Sequence, residues 1–94
     1  MDQPITIKER PNAALLAAIQ TLIANLAKAL VDYEDDVVVE IVEEADKVRF
    51  VLRAKSSDVR KLIGGQGRVV RSLRTIVAAA AQKNKARFAL EVPD

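Results

Sequence analysis

All three glycines of this chain, Gly64, Gly65 and Gly67, stand within four residues, and on either side the apolar residues recur with a helical period. No other feature constrains the fold as strongly. Gly64 is free to take the positive φ that ends a helix, and Gly67 leaves room where the next one starts. The spacing predicts a short helix that begins at Ser56 or Ser57 and ends at Gly64, a tight corner, and a longer helix from Arg68 to Lys83. With no side chains in the way, a sugar-phosphate backbone fits against such a corner. The unbonded amides at the start of the second helix then point at phosphate, aided by the helix dipole.

The remaining elements follow from periodicity. Asn12 is placed to cap a helix, and Leu15, Ile19, Leu22, Ile23, Leu26 and Leu30 form a stripe at spacings of three and four. Asp32 to Asp36 then make a polar turn. Val37–Val42 is β-branched apart from Glu40 and reads as a strand. After a short polar hairpin loop, Val48, Phe50, Leu52 and Ala54 alternate with Arg49, Val51, Arg53 and Lys55. This predicts a strand with one buried and one largely basic face. Phe88, Leu90 and Val92 alternate in a last strand that Pro93 ends. Residues 1–11 read as a polar arm, with a short extended piece at Ile5–Ile7, and 12–94 as one domain. The class is α+β in the order α-β-β-α-α-β, with the helices covering one face of a three-stranded sheet.

Charge is polarised along the chain. Residues 1–50 carry five Lys/Arg against ten acids, and residues 51–94 carry ten against three. A basic half is suited to meeting an anion. The absence of cysteine and histidine removes thiolate metal sites, disulfides and the commonest general base. No cofactor is expected. Asp32 to Asp36 lack the alternating oxygen ligands and central glycine of a calcium loop, and no carboxylate pair suggests catalysis. The start lacks the apolar core of a secretory signal, and no run is long enough for a bilayer, so a soluble cytoplasmic protein that is not an enzyme is expected.

On the second helix, Val70, Leu73, Ile76, Val77 and Ala80 share one face, while Arg68, Arg71, Arg74 and Thr75 fall on the other. Arg68 and Arg71 lie one turn apart beside the glycines; Arg74 drifts away around the helix. Lys61 precedes the corner. A plain helical corner with a solvated basic face would show the same spacing, and composition does not separate the two readings. The nucleotide-binding P-loop is excluded, because Gly67 is followed by Arg-Val. The dinucleotide fingerprint is excluded too, because the glycines follow a helix and not a strand.

Ile63-Gly64-Gly65-Gln66-Gly67-Arg68-Val69-Val70 resembles the IGxxGxxI core of KH domains, whose GxxG loop clamps single-stranded nucleic acid. With the element order of the type II arrangement and the run Gly67–Val77 followed by alanines, the chain is similar to the bacterial KhpA family over about residues 12–92. That resemblance implies a small RNA-binding chaperone acting on single-stranded RNA, as a homodimer or with a KhpB/Jag-like partner. It places the loop on Gly64, Gly65, Gln66 and Gly67, and the apolar groove on Ile63 and Val70. The second strand, with Arg53 near its end, becomes the opposite wall. Family members often carry Lys where this chain has Gly65. A protein-interaction module on a KH scaffold, with weakened RNA binding, is the alternative.

Overall fold

Apolar spacing becomes α1, Ala13–Lys28, in a computed structural model that describes residues 13–94. The arm 1–11, its extended piece at Ile5–Ile7 and the Asn12 cap lie outside the described residues. The helix buries Leu16, Ile19, Ile23 and Ala27, a narrower stripe than the leucine spacing suggests. Leu22 and Leu30 stay 45% and 43% exposed. The apolar arc is wider than the sheet can cover, and its leucine-rich flank lies to one side of the buried residues. The helix also ends before Leu30, in a turn where the Leu30 amide donates to the Ala27 carbonyl.

A 3₁₀ turn at Glu34–Asp36 leads into β1, Val38–Glu43, which runs antiparallel to β2, Val48–Arg53. The β1–β2 register pairs Val38 with Arg53 and Glu43 with Val48. Then come a 3₁₀ turn at Ser56–Asp58, α2 (Val59–Ile63), α3 (Arg68–Lys83) and β3 (Phe88–Glu91). β3 lies parallel to β2, so the sheet is mixed, with β2 in the centre and β1 and β3 at its edges. A parallel return needs a crossover, and α2, the corner and α3 together form it. This is the expected α+β order, with the three helices packed against one face of three strands.

The core is aliphatic around one aromatic pair. Val39, Phe50, Leu52 and Leu90 from the sheet meet Leu16, Ile19 and Ile23 of α1, Leu62 of α2, and Leu73 and Val77 of α3. The fully buried Phe50 ring meets Phe88 edge to face, with centroids 5.4 Å apart and planes at 89°, a favoured geometry for two aromatic quadrupoles.

The other face of β2 is not the free basic surface that alternation predicts. Arg49 bonds Glu44 at 2.8 Å and Glu91 at 2.7 Å, and Arg53 bonds Glu40 at 3.0 Å. Val51, between them, is only 5% exposed. Acids on the two flanking strands and the hairpin turn neutralise this face, a cross-strand pairing that a single strand's alternation does not reveal.

Truncating Phe50 to Ala removes the largest fully buried side chain and should cost about 3–5 kcal/mol. For a domain whose total stability is on the order of 5–15 kcal/mol, urea denaturation should show the midpoint falling by roughly a fifth or more. A shift of a few per cent would contradict the core described here.

Candidate nucleic-acid interface at the glycine corner

α2 and α3 meet across a corner that takes positive φ three times: Gly64 at 80°, Gln66 at 57° and Gly67 at 75°. Gly64 donates its amide to the Arg60 carbonyl at 2.8 Å, and Gly67 donates back to the Gly64 carbonyl at 3.0 Å. The three glycines have different tasks. A Cβ on Gly64 would stand 2.5 Å from Val69 Cγ2 and 2.8 Å from the Val69 amide nitrogen. The first turn of α3 therefore rests directly on the Gly64 backbone. Gly65 has ordinary φ and faces open space, so a side chain would fit there. Gln66 is the non-glycine residue in left-handed conformation, fully at the surface.

No side chain caps the start of α3. The Arg68 amide donates to the Gly65 carbonyl of the turn before it; the amides that follow it in the first turn have no acceptor within the helix, and the dipole adds positive potential there. Arg68 and Arg71 are exposed, and among the described residues neither guanidinium has an ion pair or hydrogen bond. Arg71 folds back along the corner, with Nη1 3.6 Å from the place a Gly67 Cβ would take. Arg68 sits farther around the helix, where it borders an apolar groove between α1 and α3. Ile63 is half-buried at the end of α2, and Val70 is buried one turn into α3.

Two expected contributors lie elsewhere. Arg53 is committed to Glu40 on the sheet face away from the helices. Both edges of its strand are occupied by β1 and β3, so the strand lying along α3 is β3 and not the second strand. Lys61 is close to the corner in sequence, but its ammonium bonds Asp32 at 3.2 Å and Asp58 at 3.4 Å. These acids hold the Lys61 pKa above its ordinary value.

Asp58 itself is fully buried. Its carboxylate accepts the amides of Asp32 (3.2 Å) and Tyr33 (3.0 Å), and so ties the α1–β1 connection to the base of α2. Burial pushes this carboxyl up, but the two amides and Lys61 outweigh it and leave the pKa below the ordinary value. In sequence, Ser-Ser-Asp looks like an exposed helix start. The one sign of another role is Lys61, three residues on. Arg74 was also underrated by the helical wheel: its Nε donates to the Leu90 carbonyl of β3 at 3.1 Å.

Comparison with known proteins decides between a generic corner and a particular family. The profile of the KhpA/KhpB KH domain matches residues 16–92. The chain belongs to the KhpA/KhpB KH-domain family. RNA-binding protein KhpA of Borreliella burgdorferi is 41% identical over 73 residues, covering 78% of this chain and 89% of that protein. RNA-binding protein KhpA of Halalkalibacterium halodurans is 40% identical over 76 residues, covering 81% of this chain and all of its own length. The Treponema pallidum protein of the same name is 41% identical over 75 residues, covering 80% and 94%. The open space around Gly65 shows that packing does not require the glycine.

Two stability tests follow from this geometry. Gly64→Ala should destabilise by at least the 1–3 kcal/mol of a left-handed non-glycine residue, with the Val69 clash added, whereas Gly65→Ala should stay within about 0.5 kcal/mol. Equal melting temperatures for the two variants would refute the different tasks assigned to them. Separately, the stability that Asp58 contributes is complete above the unfolded carboxyl pKa, about 3.9, and is lost as pH falls through the lower folded value. Wild type should lose melting temperature over that acid range, and Asp58→Asn should be less stable at neutral pH with a flatter acid profile. Parallel pH profiles for the two proteins would remove Asp58 from this role.

Proposed function

We propose that this chain binds single-stranded RNA without catalysis, holding the phosphate backbone on the corner Gly64, Gly65, Gln66 and Gly67. The observation that carries this reading is the coincidence of an open, side-chain-poor turn with an uncapped helix start and two unpaired guanidiniums, Arg68 and Arg71. The relatives' printed name, RNA-binding protein KhpA, supports the same conclusion. Amides of the first turn of α3 take phosphate oxygens, Arg71 supplies charge over Gly67, and the half-buried Ile63 offers apolar surface to the bases, backed by the buried Val70. Unstacked bases enter such a groove and paired ones do not, so single strands are preferred to duplex. Lys61 and Arg53 contribute only if phosphate displaces the acids that hold them.

The finer reading is a small cytoplasmic RNA chaperone that works with a second copy or a KhpB/Jag-like partner. No helix among the described residues is long and apolar enough to cross a membrane. Partner binding is supported by a groove of about 380 Å³ lined by Leu26, Leu30, Val69 and Ile76, with Ile76 43% exposed. The same groove favours the second reading, a protein-interaction module on a KH scaffold whose clamp is weakened at Gly65.

The test is the double variant Gly65→Asp/Gln66→Asp. Two carboxylates where phosphate lies would repel it at close range. The fold should tolerate them, because Gly65 needs no positive φ and Asp is among the residues that accept the left-handed conformation at 66. Anisotropy with a labelled unstructured RNA oligomer should show binding by wild type and none by the variant, with similar thermal melts. Two arginine–phosphate contacts give a log K against log salt slope of about −1.4 on a single strand. Unaltered affinity in a normally folded double variant would falsify the corner as the site.

A further inference from the structure

β3 is an edge strand. One side of it pairs with β2, and its other side presents unpaired carbonyls and amides. Arg74 donates to the Leu90 carbonyl from α3, so that carbonyl points to the free edge. Arg74 is four residues beyond Val70, on the same row of the helix. It lies seven residues beyond Gly67, or about 10 Å at the rise of an α-helix. Phosphate held at the corner would hang its bases into the space between this row and the β3 edge, with Val70 near the entrance and Arg74 farther along.

Arg74 uses only Nε in its bond to Leu90. Its two terminal nitrogens have no partner. The bond to the strand holds one end of a planar fork, and the fork's remaining donors are free. No carboxylate is bonded to this guanidinium, in contrast to Arg49 and Arg53. A fixed pair of parallel donors matches an edge with two adjacent acceptors; guanine offers O6 and N7 in that arrangement, and cytosine offers O2 and N3 on its Watson–Crick edge. Adenine replaces O6 with an amino group that would face the guanidinium donors. Bases splayed from a single strand leave both their Watson–Crick and Hoogsteen edges available for such contacts.

We infer that Arg74, anchored by the Leu90 carbonyl, is a specificity-determining residue that selects guanine or cytosine over adenine and uracil at one position of the bound RNA. This rests on the RNA-binding reading of the corner and goes beyond it, since the corner itself touches only backbone. Arg74 sits outside the loop and contributes discrimination more than overall affinity.

The experiment uses the full chain and labelled uridine oligomers that differ at one central nucleotide: guanosine, adenosine, cytidine or uridine. Wild type should bind the guanosine oligomer on the order of tenfold tighter than the adenosine oligomer. Arg74→Lys keeps the charge but loses the planar fork, and should weaken the favoured oligomers until all four bind within about twofold of one another. Thermal melts of the same samples report the cost of losing the Leu90 bond. If Arg74 only covers the sheet edge, Arg74→Lys lowers the melting temperature and leaves the base ranking unchanged, which overturns the inference. Wild-type binding in which guanosine and cytidine gain nothing over adenosine and uridine overturns it as well, with no variant needed, and leaves the RNA-binding reading standing. No wild-type binding to any oligomer rejects both.

Discussion

Between Ile63 and Arg68 the chain has to leave one helix and enter another within four residues, and the backbone of Gly64 is in contact with the first turn of the second helix when it does so. The contact with Val69 is closer than any Cβ would permit. Everything downstream depends on that approach. Val69 packs against the core, Leu73 and Val77 reach Phe50 and Leu52, and β3 returns parallel to β2. The same absence of a side chain that lets the helices pack leaves the corner bare to solvent. Packing thus requires glycine at Gly64 and not at Gly65, which faces open space.

A second constraint holds the other end of α2. Its five residues are too few to be stable on their own. The buried Asp58 carboxylate, two backbone amides from the α1–β1 connection and the Lys61 ammonium fasten it in place. A buried carboxylate is tolerable only when its acceptor sites are filled, and here backbone donors and an ammonium fill them. The corner is therefore presented from a short helix fixed at both ends, by a carboxylate network at its start and a glycine contact at its finish.

Element order was legible in the sequence because its signals are local. A β-branched run marks β1, an alternation marks β2, and glycines mark the corner. Side-chain pairing was less legible because its partners are distant. Arg53 reads as a free strand cation until the register brings Glu40 beside it, 13 residues away. Lys61 reads as a loop cation until Asp32 arrives from 29 residues away. Leu22, Leu30 and Ile76 read as core because they keep helical spacing, but a three-stranded sheet can cover only part of so wide an apolar arc. The positions best read from sequence were those set by backbone geometry, Gly64 and Gly67. The positions misread were long side chains whose destination depends on tertiary packing.

That distinction alters how the charge of the chain is understood. A net charge of +2 is close to neutral, and part of the basic excess after residue 50 is already committed, since Arg53 and Lys61 are paired with acids, as Arg49 is before it. Arg68 and Arg71 have no such partner, and they stand where the helix dipole and the uncapped amides add to their field. A few cations left unpaired beside oriented amides attract an anion to one place more effectively than a larger number spread among carboxylates, because each paired cation must first give up its acid. The acids of β1 and the α1–β1 connection thus help locate the positive potential. They neutralise Arg49 and Arg53 on the sheet face and Lys61 at the base of α2, and leave Arg68 and Arg71 among the cations that keep their charge unpaired.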